Sequence, residues 1–246
     1  MTCPVDVLVA VPAHDEEEGI DACLSSVIGA VEAARRTGAV RRALVAVAAH
    51  NCQDATAVLA KQRLSRQQTA AFLVTEDLDS TAVGAVRHEL IVAARAALVP
   101  ERASRCWVFS TDADSEVPPG WVTETLELAY RSAAAAVVGT VQLHGWHAPD
   151  AAQQDYAAII GRGLRPGGHD HVYAANLAVR LDAYESVGGF PSQVHGEDRA
   201  LVTALHRGGW PVITPLAPTV RTSARMPGRA AGGLGDLLLR LTRRLP

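Results

Sequence analysis

Strand-like and helix-like segments alternate along most of this 246-residue chain. Residues 5–13, VDVLVAVPA, form a continuous apolar run, which is typical of a strand buried on both faces of a parallel sheet. Residues 16–38 follow with apolar side chains at helical spacing, and Gly38 is the predicted C-terminal cap of that helix. The alternation predicts an α/β fold with a mainly parallel central sheet and helices on both faces.

The same pattern continues in the segments that follow. Further strands are predicted at residues 41–50, 70–76, 105–114 and 135–145, and further helices at residues 55–68, 81–98 and 120–133. The second half is less regular, with one helix predicted within residues 144–171 and another in residues 195–209. Because no linker rich in Ser, Pro or charge interrupts the chain, a single domain over residues 1–246 is predicted.

Composition and charge narrow the classes of function. The formal charge of −3 gives no reason to expect nucleic acid as a partner. The four cysteines form no Cys-x-x-Cys pair and no secretory leader is seen, so they are predicted to be reduced thiols of a cytoplasmic protein. The longest apolar runs are strand-sized, so no transmembrane segment is predicted.

The C-terminal tail, residues 221–246, is basic, with six arginines against Asp236 alone. It either meets an anionic ligand or a membrane surface, or is simply a solvated end. Its last part, LGDLLLRLTRRLP, is predicted as an amphipathic helix. That helix either lies on anionic lipid as a peripheral contact or packs against the domain, where its apolar face could serve a homodimer.

Two carboxylates stand at the end of the fourth predicted strand. Residues 107–121 read WVFSTDADSEVPPGW and contain Asp112 and Asp114. In an extended chain, residues i and i+2 point to the same face, with Cα atoms about 6.5–7 Å apart. Two hard oxygen ligands with open coordination positions suit Mg²⁺ or Mn²⁺ together with a diphosphate-bearing substrate. The alternative is an Asp-rich turn whose side chains cap the next helix.

Polar residues follow other predicted strands as well. Strand one ends in PAHDEE, strand two in HNCQDAT and strand four in TDADSE. Ligands of open α/β sheets bind beyond the carboxyl ends of the strands, which favours the ligand-binding interpretation of Asp112 and Asp114. A second acidic pair, Glu197 and Asp198, precedes a helix-like run. This pair either stabilises the helix N-terminus or supplies a general base for an acceptor hydroxyl.

Six segments together resemble family 2 glycosyltransferases of the GT-A fold: VPAHDEE, HNCQDAT, STDADSEVPPGW, YAANLAVRLDAYESVGGF, HGEDRAL and VRTSAR, in that order. The resemblance implies a Rossmann-like sheet with a nucleotide-binding half at about residues 1–120 and an irregular acceptor half at about residues 121–220. It also implies that a sugar is transferred, with inversion, from a UDP- or GDP-type donor to a small-molecule or lipid-linked acceptor. Mg²⁺ or Mn²⁺ is the implied cofactor.

The resemblance assigns roles residue by residue. Asp114 is the implied metal ligand, and Asp112 is implied to belong to the metal site as well and to contact the donor ribose. Asp198 is the implied catalytic base, with Glu197 beside it. The implied acceptor-side residues are Tyr173, Ala175 and Asn176. The implied donor contacts are Pro12, Ala13, His14, Glu16, His50, Gly84 and Arg87, with either Arg221 or Arg225 approaching the diphosphate.

The sequence departs from the family at several positions. His14 stands where Asn is commoner, and His50 stands where many members have an Asp that reads the base. A neutral imidazole donates or accepts one hydrogen bond, so the base cannot be inferred from His50, which could equally be structural. Arg87 either pairs with donor phosphate or faces outward. No His follows His206, so the third metal ligand of many relatives is missing.

Two other functions stay open at this point. A catalytically silent protein that binds nucleotide sugars would carry the same donor-binding residues. A sugar-nucleotide nucleotidyltransferase also uses an α/β sheet and Mg²⁺, but it would need a Gly-rich phosphate loop after the first strand. The segment PAHDEEEG at residues 12–19 is not such a loop.

Overall fold

The computed structural model describes residues 3–68, 70–76, 82–226, 228 and 232–243. Parts of the predicted third helix (residue 81) and of the basic tail (residues 227, 229–231 and 244–246) lie outside these residues. The strands are β1 Val5–Ala13, β2 Val40–Ala49, β3 Ala71–Thr75, β4 Cys106–Ser110, β5 Ser115–Glu116, β6 Ala136–Val138, β7 Thr140–His144, β8 Leu164–Arg165, β9 Gly168–His169, β10 Leu177–Arg180, β11 Val212–Ile213 and β12 Thr219–Ser223. The helices are α1 Ile20–Arg36, α2 Thr56–Ser65, α3 Val83–Leu98, α4 Trp121–Arg131, α5 Asp150–Arg162, α6 Leu181–Ser186, α7 Glu197–Arg207 and α8 Leu234–Arg243.

A seven-stranded sheet forms the centre of the fold, in the order β11-β6-β10-β4-β1-β2-β3. Strands β4, β1, β2 and β3 run parallel to one another, and β11 is parallel to β6. Strand β10 is antiparallel to both β4 and β6. The predicted α/β fold with a mainly parallel central sheet is therefore confirmed.

Helices cover both faces of this sheet, because successive residues of each buried strand point to opposite sides. Val7, Val9 and Val11 of β1 pack in one apolar cluster with α1, α2 and α4. Leu8 and Ala10 pack in a second cluster with α3, α6 and α7. Gly38 follows α1 with a φ of 75°, and its amide donates to Arg35 O, as expected of a helix cap.

The segment predicted as one strand at residues 135–145 is two strands that belong to different sheets. Strand β6 lies in the seven-stranded sheet, whereas β7 joins a three-stranded sheet in the order β5-β12-β7. Gly139 lies between them, where the backbone passes against Asn176 and Pro218. A side chain at residue 139 would overlap the Asn176 amide and lie 2.8 Å from Pro218 O, so the chain crosses between the sheets at a residue without a Cβ.

We expect Gly139→Ala to destabilise the fold by about 1–3 kcal/mol, the usual range for overpacking a filled interior. The matched control is Gly161→Ala in α5, where an added Cβ meets nothing within 4 Å. That change should be neutral or stabilising, since Ala is favoured over Gly inside a helix. Urea unfolding of both variants measures the difference, and equal midpoints would contradict the crowding inferred at residue 139.

The C-terminal part of the chain packs back onto the domain. Leu238 and Leu241 of α8 are buried, and the helix contacts α5, as in the packed arrangement considered for the tail. Strand β12 pairs with β5, and its last residue donates from Ser223 N to Asp114 O at 3.2 Å. In the described part of the chain, no helix is long and apolar enough to span a bilayer.

Candidate active site

A cavity of about 560 Å³ opens at the edge where β1, β2 and β4 end. It lies beyond the carboxyl ends of these strands, where open α/β sheets bind their ligands. Ten of the residues singled out in the sequence line it, and they come from six separate segments. They are Pro12, Ala13, His14, Glu16, His50, Arg87, Asp112, Asp114, Glu197 and Arg225.

The other predicted site residues lie behind or beside the lining. Asp198 is not a lining residue, but its Oδ2 accepts at 3.0 Å from the backbone amide of Ala174, which does line the cavity. Gly84 lies against the protein's own loop: a Cβ there would overlap Pro191 O. Arg221 is exposed on β12, opposite Glu116, so Arg225 is the arginine of the pair that reaches the cavity.

The predicted acceptor-side group lies largely in the interior. Asn176 is buried, its amide donates to Thr140 O and Pro218 O, and its Oδ1 accepts from Trp121 Nε1. These bonds join the two sheets, and they occupy the side chain that was expected to border the acceptor. Ala175 is also buried, while Tyr173 is half-buried and stacks on His171 with ring centroids 5.8 Å apart.

Asp112 and Asp114 lie in a turn and not in extended chain. Strand β4 ends at Ser110, and Ser115 N donates to Asp112 O at 3.1 Å. The turn that was considered as an alternative is therefore present, but no side chain among the described residues caps α4, and both aspartates line the cavity. The extended i, i+2 arrangement predicted for the two carboxylates is therefore wrong, because a turn and not a strand presents them.

Arg87 is buried at the base of the cavity, which rules out the outward-facing alternative. Its guanidinium donates to Asp112 Oδ1, to Ser110 Oγ at 2.8 Å and to Glu197 Oε1 at 3.4 Å. Only 4 % of its side chain is exposed, against 37 % for Asp112. A guanidinium that is buried to this extent requires partners of opposite charge, and Asp112 and Glu197 provide them.

Arg225 forms a second charged cluster in the lining of the cavity. Its two terminal nitrogens donate to both oxygens of Glu16, at 2.7 and 2.6 Å, and this fork geometry fixes the guanidinium plane. Nη2 also lies 3.7 Å from Asp114 Oδ2. Asp114 Oδ1 is 3.4 Å from the hydroxyls of Ser115 and Thr222.

Burial and nearby acids raise the pKa of Asp114 to about 7. Desolvation is the largest cause, followed by the negative charges of Asp112 and Glu16, and Arg225 offsets them in part. Burial also raises the pKa of Glu197 and of Asp198, although Arg87 lowers both. A carboxylate whose pKa is raised toward neutrality is a better proton acceptor, so both residues suit a general base.

The histidines lie at the ends of β1 and β2. His14 Nδ1 is 3.0 Å from His50 O, and His50 Nδ1 is 3.4 Å from Ala13 O. Because a carbonyl only accepts, both Nδ1 atoms carry the proton in these contacts. Burial lowers the pKa of His50, so at neutral pH its Nε2 is an acceptor. His50 thus has a structural bond and also lines the cavity.

Several lining residues were not foreseen from the sequence. Val194, His195 and Gly196 line the cavity just before α7, and Gly233, Leu234 and Gly235 line it from the start of α8. The available signal was the density of glycines in residues 228–235. A Cβ at Gly235 would overlap Gly228 and lie 2.9 Å from Arg225 O, so this segment packs tightly beside Arg225.

The charges in the cavity favour a bound cation. Among the described residues, four carboxylates line it (Glu16, Asp112, Asp114 and Glu197) against two guanidiniums. Elsewhere in the described residues, Asp15, Cys52 and Asp54 are close enough to hold an ion, but they bond the loops: Asp15 Oδ1 accepts from Gln53 N at 2.7 Å. Asp114 fits Mg²⁺ or Mn²⁺, which need only one or two carboxylates when substrate phosphates complete the coordination.

The raised pKa of Asp114 gives a pH-dependent stability. The folded carboxyl has a pKa of about 7 against an ordinary 3.8, so the folded state binds more protons between these values. Its ionisation then destabilises the metal-free fold as pH rises from about 4 to 7, at about 1.4 kcal/mol per unit. We expect Asp114→Asn, in EDTA, to raise the urea midpoint more at pH 8 than at pH 4.5. Glu116→Gln on neighbouring β5 is the control, and a pH-independent gain would contradict the shift.

The fold and the position of the cavity place this chain among the α/β proteins whose candidate ligand site lies beyond the carboxyl ends of the strands. No protein-family model and no curated protein matches this chain. Among solved structures, it is similar to the mannosyltransferase PcManGT from Pyrobaculum calidifontis in complex with GDP-Man and Mn²⁺. The TM-score is 0.67 at 17 % identity, and the match covers 92 % of this chain and 59 % of that one.

Two further structures show the same likeness. S. aureus TarS 1-349, in complex with UDP-GlcNAc, matches with a TM-score of 0.64 at 12 % identity, over 96 % of this chain and 65 % of that one. A mycobacterial protein matches with a TM-score of 0.53 at 20 % identity, over 96 % of this chain and 72 % of that one. The chain therefore shares the fold of these three structures, and it spans less than two thirds of the length of the first two.

Proposed function

We propose that this protein is a metal-dependent glycosyltransferase that moves a sugar from a nucleotide-diphosphate sugar to an acceptor hydroxyl. The observation that carries the proposal is a cavity lined by two chemically different groups of residues. One group is Asp114 and Arg225 with the β1 and β2 loops, and the other is Glu197, whose neighbour Asp198 accepts a hydrogen bond from Ala174 of the lining. A donor diphosphate bound by the first group would present its sugar to the second.

The donor is proposed to lie along the ends of β1, β2 and β4. The segment Pro12–Glu16 and His50 would contact the nucleoside, and Asp112, the more exposed partner of Arg87, would accept a hydrogen bond from the ribose. Arg225 is oriented by Glu16 and lies beside Asp114, where it would meet the diphosphate. A UDP or GDP donor is consistent with the ligands named for the similar structures.

Asp114 is the proposed ligand of the cation, with the donor phosphates and water completing its shell. The bound cation would neutralise the charge that develops on the departing diphosphate. The remaining chemistry belongs to the chain. Asp198 would take the proton from the acceptor hydroxyl, which then attacks the anomeric carbon as the nucleoside diphosphate leaves. A single displacement of this kind inverts the anomeric centre.

The acceptor and the setting of the reaction are proposed in general terms. The acceptor is a small molecule or a lipid-linked one, whose hydroxyl enters past Tyr173 and the loop before α7. From the sequence we also propose a cytoplasmic location, peripheral membrane contact and a homodimer.

Ligand-induced thermal stabilisation tests donor binding directly. We expect UDP or GDP with Mn²⁺ to raise the melting temperature, and EDTA to remove most of that shift. Slow release of nucleoside diphosphate from UDP- or GDP-sugars would then separate an enzyme from a silent binder. No shift with any nucleotide would contradict the proposal, and a shift without any hydrolysis or transfer would favour the silent nucleotide-sugar-binding protein.

A further inference from the structure

One side chain contacts both the end of β4 and the start of α7. Arg87 projects from the second turn of α3, and its partners belong to two segments that are far apart in the sequence. Ser110 and Asp112 come from the end of β4, and Glu197 is the first residue of α7. The guanidinium also lies 5.9 Å from the centre of the Phe190 ring, at the start of the loop that leads into α7.

The backbone of α3 is fixed against the same loop. Gly84, one turn before Arg87, donates its amide to Gln193 O at 3.1 Å. A Cβ on Gly84 would overlap Pro191 O and lie 2.9 Å from Glu197 Cβ, so the helix touches the loop at a residue without a side chain. The first turns of α3 and α7 therefore pack directly on each other near Arg87.

The start of α7 carries the residue that the proposed reaction depends on. Asp198 follows Glu197, and its two oxygens accept from Ala174 N at 3.0 Å and from Arg199 N at 2.7 Å. A change in the position of Glu197 would move Asp198 relative to the cavity. Asp112, at the other end of the guanidinium, is 37 % exposed and available to a donor.

We propose that Arg87 is a positioning residue that couples occupation of the donor site at Asp112 to the placement of the first turn of α7. This inference rests on the proposed function. We propose the positioning role in place of a direct contact between Arg87 and donor phosphate. Three of the five guanidinium N–H groups of Arg87 already donate to protein partners. A ligand held by Asp112 fixes the contact between Asp112 and the guanidinium of Arg87. The same rigid guanidinium then holds Glu197 and orders the first turn of α7.

Arg87→Lys separates the two ends of the link. A lysine ammonium is a compact charge, so it can remain beside Asp112 but cannot also hold Glu197 through a planar fork. We expect UDP or GDP with Mn²⁺ to bind this variant within a few-fold of the wild type. Turnover should fall by roughly 10²-fold, as when a catalytic group is displaced by about 1 Å. Arg95→Lys is the matched control, since Arg95 lies on the same helix and pairs with Glu185 at the surface.

Hydrogen exchange measured by mass spectrometry tests the coupling without relying on turnover. In the wild type and in Arg95→Lys, UDP or GDP with Mn²⁺ should slow exchange in residues 194–201 at the start of α7. In Arg87→Lys the nucleotide should bind but leave exchange in this segment unchanged. Equal protection in Arg87→Lys, or no protection in a wild type that binds nucleotide, would overturn the inference. A wild type that binds neither nucleotide would overturn the proposed function itself, and the inference with it.

Discussion

Asp198→Asn should reduce the release of nucleoside diphosphate from the donor by about 10²–10⁴-fold, the usual contribution of a general base. An amide cannot take the proton of the attacking hydroxyl. The affinity for UDP or GDP should stay within a few-fold, because Asp198 bonds to Ala174 and does not itself line the cavity. Turnover assays with Mn²⁺, together with calorimetric titration of the nucleotide, measure the two effects separately.

Glu197→Gln is the informative comparison for this variant. The Gln side chain can still accept from Arg87 Nε, the contact that Glu197 makes at 3.4 Å, so the first turn of α7 should keep its place. We therefore expect a smaller loss of turnover than in Asp198→Asn. Normal turnover in Asp198→Asn with a large loss in Glu197→Gln would move the role of base to Glu197, which lines the cavity.

The central sheet could be predicted from the sequence because its signal is local. Strand β1 occupies the predicted residues 5–13, since an uninterrupted apolar run is what a strand buried on both faces requires. The strand predictions that were wrong concern strands whose ends depend on contacts with residues distant in the sequence. Gly139 divides β6 from β7 because Asn176 and Pro218 pass beside it, and neither is near in sequence.

The site could be predicted at the level of its strand ends and not at the level of its side-chain partners. The carboxylates after β1 and β4 could be assigned to one edge, because parallel strands end together. The orientation of Arg87 could not, because its acidic partners lie 25 and 110 residues away. The same holds for Asn176, whose amide completes the contact between the two sheets and does not face an acceptor. The wall formed by Gly233–Gly235 depends on how the tail folds back, which helical periodicity does not specify.

The excess of carboxylates in the cavity is electrostatically unfavourable in the free protein, and in the proposed complex it would favour binding of a cation. A donor diphosphate would enter a site where, in the described part of the chain, four carboxylates face two guanidiniums, so the net charge of this set repels it unless a further cation is bound. Asp114 lies near two of the other acids, Asp112 and Glu16, and Arg225 Nη2 is 3.7 Å from its Oδ2. A divalent cation beside Asp114 would both relieve that repulsion and attract the phosphates.

Asp114→Asn should therefore weaken metal-dependent donor binding by about 10²-fold or more, since even the outer partners of metal ligands contribute 10–100-fold. Calorimetric titration of UDP or GDP, with Mn²⁺ and with EDTA, measures the effect, and Glu116→Gln on β5 should bind like the wild type. The same Asp114→Asn protein should be more stable than the wild type at pH 8 without metal, because the raised pKa of Asp114 makes its ionisation unfavourable there. Loss of binding in a more stable fold cannot come from misfolding. Unchanged Mn²⁺-dependent binding in Asp114→Asn would instead leave Arg225 as the group that meets the diphosphate.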